Sequence, residues 1–112
     1  MSLQAKLQIG KEGRLVTFTV TVHNGGSDPA ELQFTDTGTL QVIVTAPDGT
    51  QLYDSRAGRM FGQMMRTVTV APGADATFSD RWTAPPEVSG TLRVRVTVRC
   101  TPPLTAAGTV TL

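Results

Sequence analysis

Cysteine is almost absent from this chain of 112 residues, which contains only Cys100. A single cysteine cannot form a disulfide within the chain, so the fold has to be stable through packing alone. This excludes the disulfide-dense scaffolds of many small inhibitors. A chain of this length buries roughly two-thirds of the surface of its unfolded form, which is sufficient for a hydrophobic core. We therefore expect one domain, spanning residues 1–112.

Residues that commonly carry catalysis or hold metals are also scarce. The chain has one histidine, His23, and one cysteine, whereas a zinc site needs about four nitrogen, sulfur or oxygen ligands. No Gly-x-Ser-x-Gly elbow and no phosphate-binding glycine loop occurs in the sequence. We predict that the protein is not an enzyme and binds neither a cofactor nor a metal. His23 is then expected to be a strand-end residue with its ring partly in water.

Long apolar runs and strong net charge are missing as well. No stretch approaches the roughly 18 apolar residues of a membrane helix, and the net charge is only +1. We therefore expect neither a membrane nor a nucleic acid as partner. The sequence shows no signal-peptide pattern before the domain. If a signal peptide has been removed, we expect a secreted or periplasmic protein instead of a cytoplasmic one. A self-pairing edge strand could form dimers, and we expect a monomer or a weak dimer.

The clearest positive signal is strict alternation of apolar and polar residues. In Val16–Val22 the apolar residues fall on one face and the threonines on the other. Leu92–Cys100 repeats the pattern with arginines outward. Because successive side chains of a strand point to opposite faces, both segments are typical of half-buried β-strands. Cys100 and Trp82 are expected in the core.

Shorter candidate strands lie between and around these two, separated by turns such as Pro47-Asp48-Gly49 and Pro72-Gly73. No segment has a helical apolar stripe. The pattern predicts an all-β fold, an immunoglobulin-like antiparallel β-sandwich of about eight strands. The other candidate strands are Leu3–Ile9, Glu31–Thr35, Leu40–Ala46, Gln51–Asp54, Thr67–Ala71, Ala76–Trp82 and Gly108–Leu112.

A row of arginines lies on the outward face of the long strand near the C-terminus: Arg93, Arg95 and Arg99. We interpret this row as a solvated face whose charges discourage edge-to-edge aggregation of the sheet. The alternative is that the row meets an acidic partner.

The most unusual stretch is Ser55–Arg66, which holds three methionines, a phenylalanine and three arginines. Two interpretations compete. In one, Met60, Phe61 and Met64 fold back and plug one end of the sandwich. In the other, side chains of this loop project and fill pockets on a partner, since methionine and arginine are enriched at interfaces. The candidate partner-binding residues are Arg56, Arg59, Met60, Phe61, Gln63 and Met64.

Gly58-x-Met60-Phe61-x-Gln63 is the most specific of several ordered elements between about Leu15 and Val98. Together these elements resemble the BsuPI family of intracellular proteinase inhibitors, a bacterial β-sandwich family. The chain departs from the family at Tyr53-Asp54-Ser55-Arg56, where family members often have a second aromatic residue. The matching elements, in the family's order, are the strand ending at Asn24, Leu32-x-Phe34, Asp48-Gly49, Tyr53, Pro72-Gly73 and the strand ending at Trp82.

The resemblance implies a cytoplasmic inhibitor whose partner is a serine proteinase of the subtilisin type. A proteinase grips an extended segment through main-chain hydrogen bonds and a pocket for one side chain. An arginine of the loop would suit a trypsin-like pocket, and a methionine or phenylalanine a subtilisin-like one. The alternative function is a non-enzymatic, immunoglobulin-like interaction or accessory domain of unknown partner, because sandwich folds serve many binding tasks.

Overall fold

The computed structural model describes residues 3–36, 38–57, 60, 62–101 and 103–112. In these ranges the chain forms nine β-strands and no helix, and hence no helix long and apolar enough to cross a membrane. The strands are β1 (Leu3–Glu12), β2 (Leu15–Asn24), β3 (Ala30–Asp36), β4 (Leu40–Thr45), β5 (Gln51–Asp54), β6 (Gln63–Val70), β7 (Asp75–Thr83), β8 (Thr91–Val98) and β9 (Leu104–Thr111).

All strand pairings are antiparallel, and they form three sheets. The orders are β1-β2-β7, β3-β6 and β5-β4-β8-β9. The predicted all-β antiparallel sandwich is confirmed, with nine strands instead of about eight. Two strands begin four residues earlier than predicted: β6 at Gln63 instead of Thr67, and β9 at Leu104 instead of Gly108. Neither added segment could be recognised from alternation, since the first five residues of β6 are all exposed and the added part of β9 consists of Leu, Thr and Ala.

The core lies between the inward faces of β2 and of the β4–β8 pair. Every second residue of these strands is buried, as the alternation predicts. Trp82 of β7 is buried and stacks on Tyr53 of β5, with ring centroids 5.4 Å apart. Cys100 is also buried, so the core positions predicted for both residues are confirmed. The largest fully buried side chains are Phe18, Phe34, Leu32 and Leu92, with Val16, Val20, Val22, Val42, Val44, Val94, Val96 and Val98.

The strand ends are fixed by turns in which side chains replace missing main-chain partners. In the predicted turn after β4, the Thr50 N–H donates to the Asp48 carboxylate, and Gly49 has a φ of 92° that favours glycine. Asn24, at the end of β2, is buried, and its amide donates to the carbonyls of Asp28 and Val70. Asn24 thereby joins the end of β2 to the following loop and to the end of β6.

The arginine row lies on the outer face of β8, for Arg93 and Arg95, and directly after it, for Arg99. Arg93, Arg95 and Arg99 are exposed, as predicted. However, β8 lies between β4 and β9 in the middle of its sheet. The interpretation that these charges protect a sheet edge is therefore wrong, because the edges of this sheet are β5 and β9.

Candidate functional site

The unusual segment leaves the sandwich at a buried serine. The N–H of Ser55 donates to the Val42 carbonyl (2.9 Å), and its hydroxyl accepts a hydrogen bond from the Val42 N–H (2.8 Å). Ser55, which follows directly after β5, thus pairs with both main-chain groups of Val42. Its N–H meets the Val42 carbonyl, and its hydroxyl meets the Val42 N–H. The start of the segment is therefore fixed to the central strand β4.

The next residue, Arg56, turns back toward the end of β3. Its guanidinium donates to the Asp36 carboxylate (2.9 Å) and to the Gly38 carbonyl (3.2 Å). The Arg56 hydrogen bond is the main cause that holds the pKa of Asp36 below its ordinary value of 3.8, and a hydrogen bond from the Gly38 N–H adds to it. The side chain of Arg56, predicted to contact a partner, is thus engaged within the chain.

The far end of the segment also meets Asp36. Gln63, the first residue of β6, pairs with Asp36 across the β3–β6 ladder. Asp36 therefore joins both ends of the segment, through its side chain to Arg56 and through its backbone position to Gln63. Asp36 was not predicted as a site residue, because its role depends on a contact between residues that are 20 positions apart.

A β-bulge follows Gln63 in β6. The ladder pairs Asp36 with Gln63 and then Phe34 with Arg66, so one residue of β3 faces two residues of β6, Met64 and Met65. A bulge of this kind bends its strand and re-aims its side chains. Both methionines at the bulge are exposed, as are the other residues at the start of β6.

Three exposed methionines form an apolar surface at this end of the molecule. Met60 is 99% exposed, Met65 84% and Met64 57%, and these three are the exposed large hydrophobic residues of the described chain. The predicted plug of the sandwich is therefore wrong for Met60 and Met64. Met65, by contrast, was not among the predicted binding residues. We call Met60, Met64 and Met65 the methionine surface.

Two further predicted binding residues, Arg59 and Phe61, lie outside the described residues. Of the predicted set, the structure brings Arg56 and Gln63 together at Asp36, and it exposes Met60 and Met64 beside them in sequence.

The strand that carries the methionine surface has one unoccupied side. In the described part of the chain β6 pairs only with β3, so the main-chain N–H and C=O groups along its other edge face no neighbouring strand. Next to the bulge, the Arg66 guanidinium lies 5.4 Å from the centre of the Phe34 ring, which is a cation–π distance. The site is therefore an edge strand flanked by exposed methionines and an arginine.

Outside this segment, His23 is the residue considered for catalysis or metal binding, and its contacts are structural. His23 is half-exposed at the end of β2, and its Nδ1 lies 2.6 Å from the Asp75 carboxylate, so the strand-end position predicted for it is confirmed. Over the described ranges, no group of three or more His, Cys, Asp and Glu side chains is placed to hold a metal ion.

Solved structures resemble the chain in fold. It aligns to a β-glucuronidase of Bacteroides uniformis with a TM-score of 0.52 and 17% identity, over 98% of this chain and 13% of that one. It aligns to Spo0M, a sporulation control protein of Bacillus subtilis, with a TM-score of 0.52 and 16% identity, over 100% of this chain and 49% of that one. The chain thus spans half or less of each of these proteins, and at such identities the likeness concerns the fold alone.

Among curated proteins, the sequence search finds no significant match. A family model, by contrast, matches residues 3–102, which is nearly the whole chain. That range includes Asp36, both ends of the unusual segment and the methionine surface. The chain therefore belongs to the BsuPI family, which is described as intracellular proteinase inhibitor.

Proposed function

We propose that this protein inhibits a subtilisin-type intracellular serine proteinase by binding it, without catalysis of its own, through the methionine surface and the adjoining edge of β6. The family description supports a proteinase as partner and an intracellular, hence cytoplasmic, setting. The observation that carries the contact assignment is the exposure of Met60, Met64 and Met65 within six residues of sequence.

Exposed methionines are suited to fill a proteinase pocket. Burying a methionine side chain contributes about 1.5–3 kcal/mol, so a few such anchors supply a large share of a binding energy. Methionine is also unbranched and polarisable, which lets it fit pockets of irregular shape. The edge of β6 adds main-chain donors and acceptors of the kind that a proteinase uses to hold an extended segment.

The anchoring at Asp36 supports binding in a second way. Because Ser55 is fixed to Val42 and both Arg56 and Gln63 meet Asp36, the ends of the segment have little freedom left to lose. A segment that is already ordered at its base loses less conformational entropy on binding. In this interpretation Arg56 positions the segment, and the methionines make the contact.

The first test is a titration of casein hydrolysis by a subtilisin-type intracellular serine proteinase. A linear loss of activity that ends near one inhibitor per enzyme is the expected result. If activity is unchanged while the added protein stays intact, this class of proteinase is not its target. In that case the domain is better explained as a binding module for another partner.

Variants test the contact surface. The substitutions Met60→Asp and Met65→Asp place a charge where an apolar pocket would have to accept it, so each should weaken inhibition by at least about tenfold. Thr77→Asp, at an exposed position of β7, adds the same charge to another sheet and serves as the control. Equal inhibition by all three variants would contradict the assignment of the methionine surface while leaving inhibition itself intact.

A further inference from the structure

A second surface lies on the outer face of the sheet β5-β4-β8-β9. The strand register sets Arg95 between Ile43 of β4 and Ala107 of β9, and Arg93 beside Thr45 in the neighbouring row. An open groove of about 480 Å³ lies at this part of the sheet. Its lining residues are Ile43, Thr45, Arg93, Val94, Arg95 and Ala107.

In the described part of the chain, no carboxylate forms an ion pair with either arginine of this groove. In the described chain Arg56 forms an ion pair with Asp36, and His23 forms a hydrogen bond with Asp75; neither contact involves Arg93 or Arg95. Asp54 shares the row of Arg95, but β4 lies between them. The Asp54 carboxylate also already accepts hydrogen bonds from the Arg56 N–H and the Gln41 amide.

We propose that this groove binds an extended acidic segment of a partner protein, with carboxylates on alternate residues. Arg93 and Arg95 are two residues apart on one strand, so their Cα atoms are separated by roughly 6.8 Å. Alternate side chains of an extended peptide have the same spacing, which lets two carboxylates each meet one guanidinium. Guanidinium–carboxylate pairs form short, charge-assisted and often bidentate hydrogen bonds.

The remaining lining favours a peptide over a nucleic acid. Ile43 and Ala107 offer apolar contact to the aliphatic part of glutamate side chains, and Thr45 offers a hydroxyl. The residues that line the groove include no aromatic ring on which a base would stack, and the chain has a net charge of only +1. The groove lies on a different sheet from Met64 and Met65, so its binding can be tested with no proteinase present.

The test uses a fluorescein-labelled Glu-Thr-Glu-Thr-Glu peptide, with fluorescence anisotropy at low salt and no proteinase present. Combined Arg93→Gln and Arg95→Gln should raise the dissociation constant at least about tenfold, and added salt should weaken binding to the native chain. The matched control combines Lys6→Gln and Arg81→Gln, which removes the same charge from exposed positions of β1 and β7. It should change the dissociation constant by less than about twofold.

A further variant, Ala107→Glu, places a carboxylate inside the groove, where it competes with the peptide for the arginines. It should raise the dissociation constant of the peptide about as much as the loss of both arginines does. Circular dichroism establishes that each variant is folded. The proposal is overturned if the control weakens binding as much as the arginine variant does, since that would show general charge attraction. It is also overturned if a labelled thymidine oligonucleotide of equal charge binds the groove more tightly than the peptide.

Discussion

The guanidinium of Arg56 lies 2.9 Å from the carboxylate of Asp36, and this pair connects the loop after β5 to the end of β3. Both side chains are only about one-fifth exposed, at 18% and 21%. The same arginine donates to the Gly38 carbonyl, and the Gly38 N–H donates to Asp36. The pair therefore orders the turn after β3 as well as the base of the segment that carries the methionine surface.

The first prediction concerns this pair. Arg56→Gln should lower the free energy of unfolding by about 1 kcal/mol at neutral pH, the usual size for a partly exposed, hydrogen-bonded ion pair. Asp36→Asn should cost a similar amount, and the double variant should cost less than the sum, because each single change removes the same interaction. Urea unfolding of the four proteins measures this coupling. A coupling near zero would show that the pair does not stabilise the fold.

The second prediction is the pH dependence of that coupling. The pKa of Asp36 is lowered from 3.8 in the folded chain, so the unfolded state takes up a proton first as pH falls. The stability that the pair contributes is then present above the unfolded pKa and is lost as pH falls through the lower folded pKa. Unfolding series from about pH 6 down to about pH 2 should show the native chain converging on Asp36→Asn. A difference that stays constant over this range would contradict the prediction.

How far the sequence predicts this molecule depends on the kind of contact involved. The alternation in β2 and β8 predicts both strands and their buried faces, because burial of one face of a strand leaves a direct period-two pattern. The loops Asp48-Gly49 and Pro72-Gly73 are predicted equally well, since turn residues act locally. These local signals, added together, are sufficient for the fold.

The candidate site depends on contacts that leave no such pattern. The bulge that sets Met64 and Met65 opposite Thr35 is a property of two strands together. The role of Asp36 follows from its meeting with Arg56 and Gln63, which are distant in sequence. Composition alone identified the segment as unusual, but it could not show which side chains project and which are held.

The third prediction concerns Asn24, the buried amide at the end of β2. Asn24→Ala removes two donors from the carbonyls of Asp28 and Val70 and the acceptor of the Gly26 N–H. Leaving such groups unpaired should cost about 2–3 kcal/mol of unfolding free energy. Asn24→Asp keeps the acceptor but turns a carboxylate toward two carbonyl oxygens, so it should be at least as destabilising. Ser27→Ala, in the exposed part of the same loop, is the control, and a loss there equal to that of Asn24→Ala would contradict the assignment.

The fourth prediction concerns Phe34, a buried residue of β3, the strand that pairs with β6. Its buried ring lies 5.7 Å from that of Phe78 and also contacts the Arg66 guanidinium. Phe34→Leu should cost about 1–2 kcal/mol and loosen β6 more than β2, because in the described part of the chain β6 has only β3 as a neighbouring strand. Amide hydrogen exchange measures this directly. Equal acceleration of exchange in β2 and β6 would show that Phe34 stabilises the whole sandwich and not this edge in particular.

The last prediction concerns Cys100, whose thiol is buried and has a pKa raised above 9.0 chiefly by desolvation. Since the thiolate is the reactive form, alkylation by iodoacetamide near pH 8 should be slow in the folded protein and fast in urea. Mass spectrometry gives an unambiguous reading, because the chain has no other cysteine. If labelling requires global unfolding, Phe34→Leu and Asn24→Ala should each raise the logarithm of the labelling rate in proportion to their loss of stability. A rate that is fast in the native chain and unaffected by these variants would instead place Cys100 in a region that opens locally, independent of the core around β2 and β8.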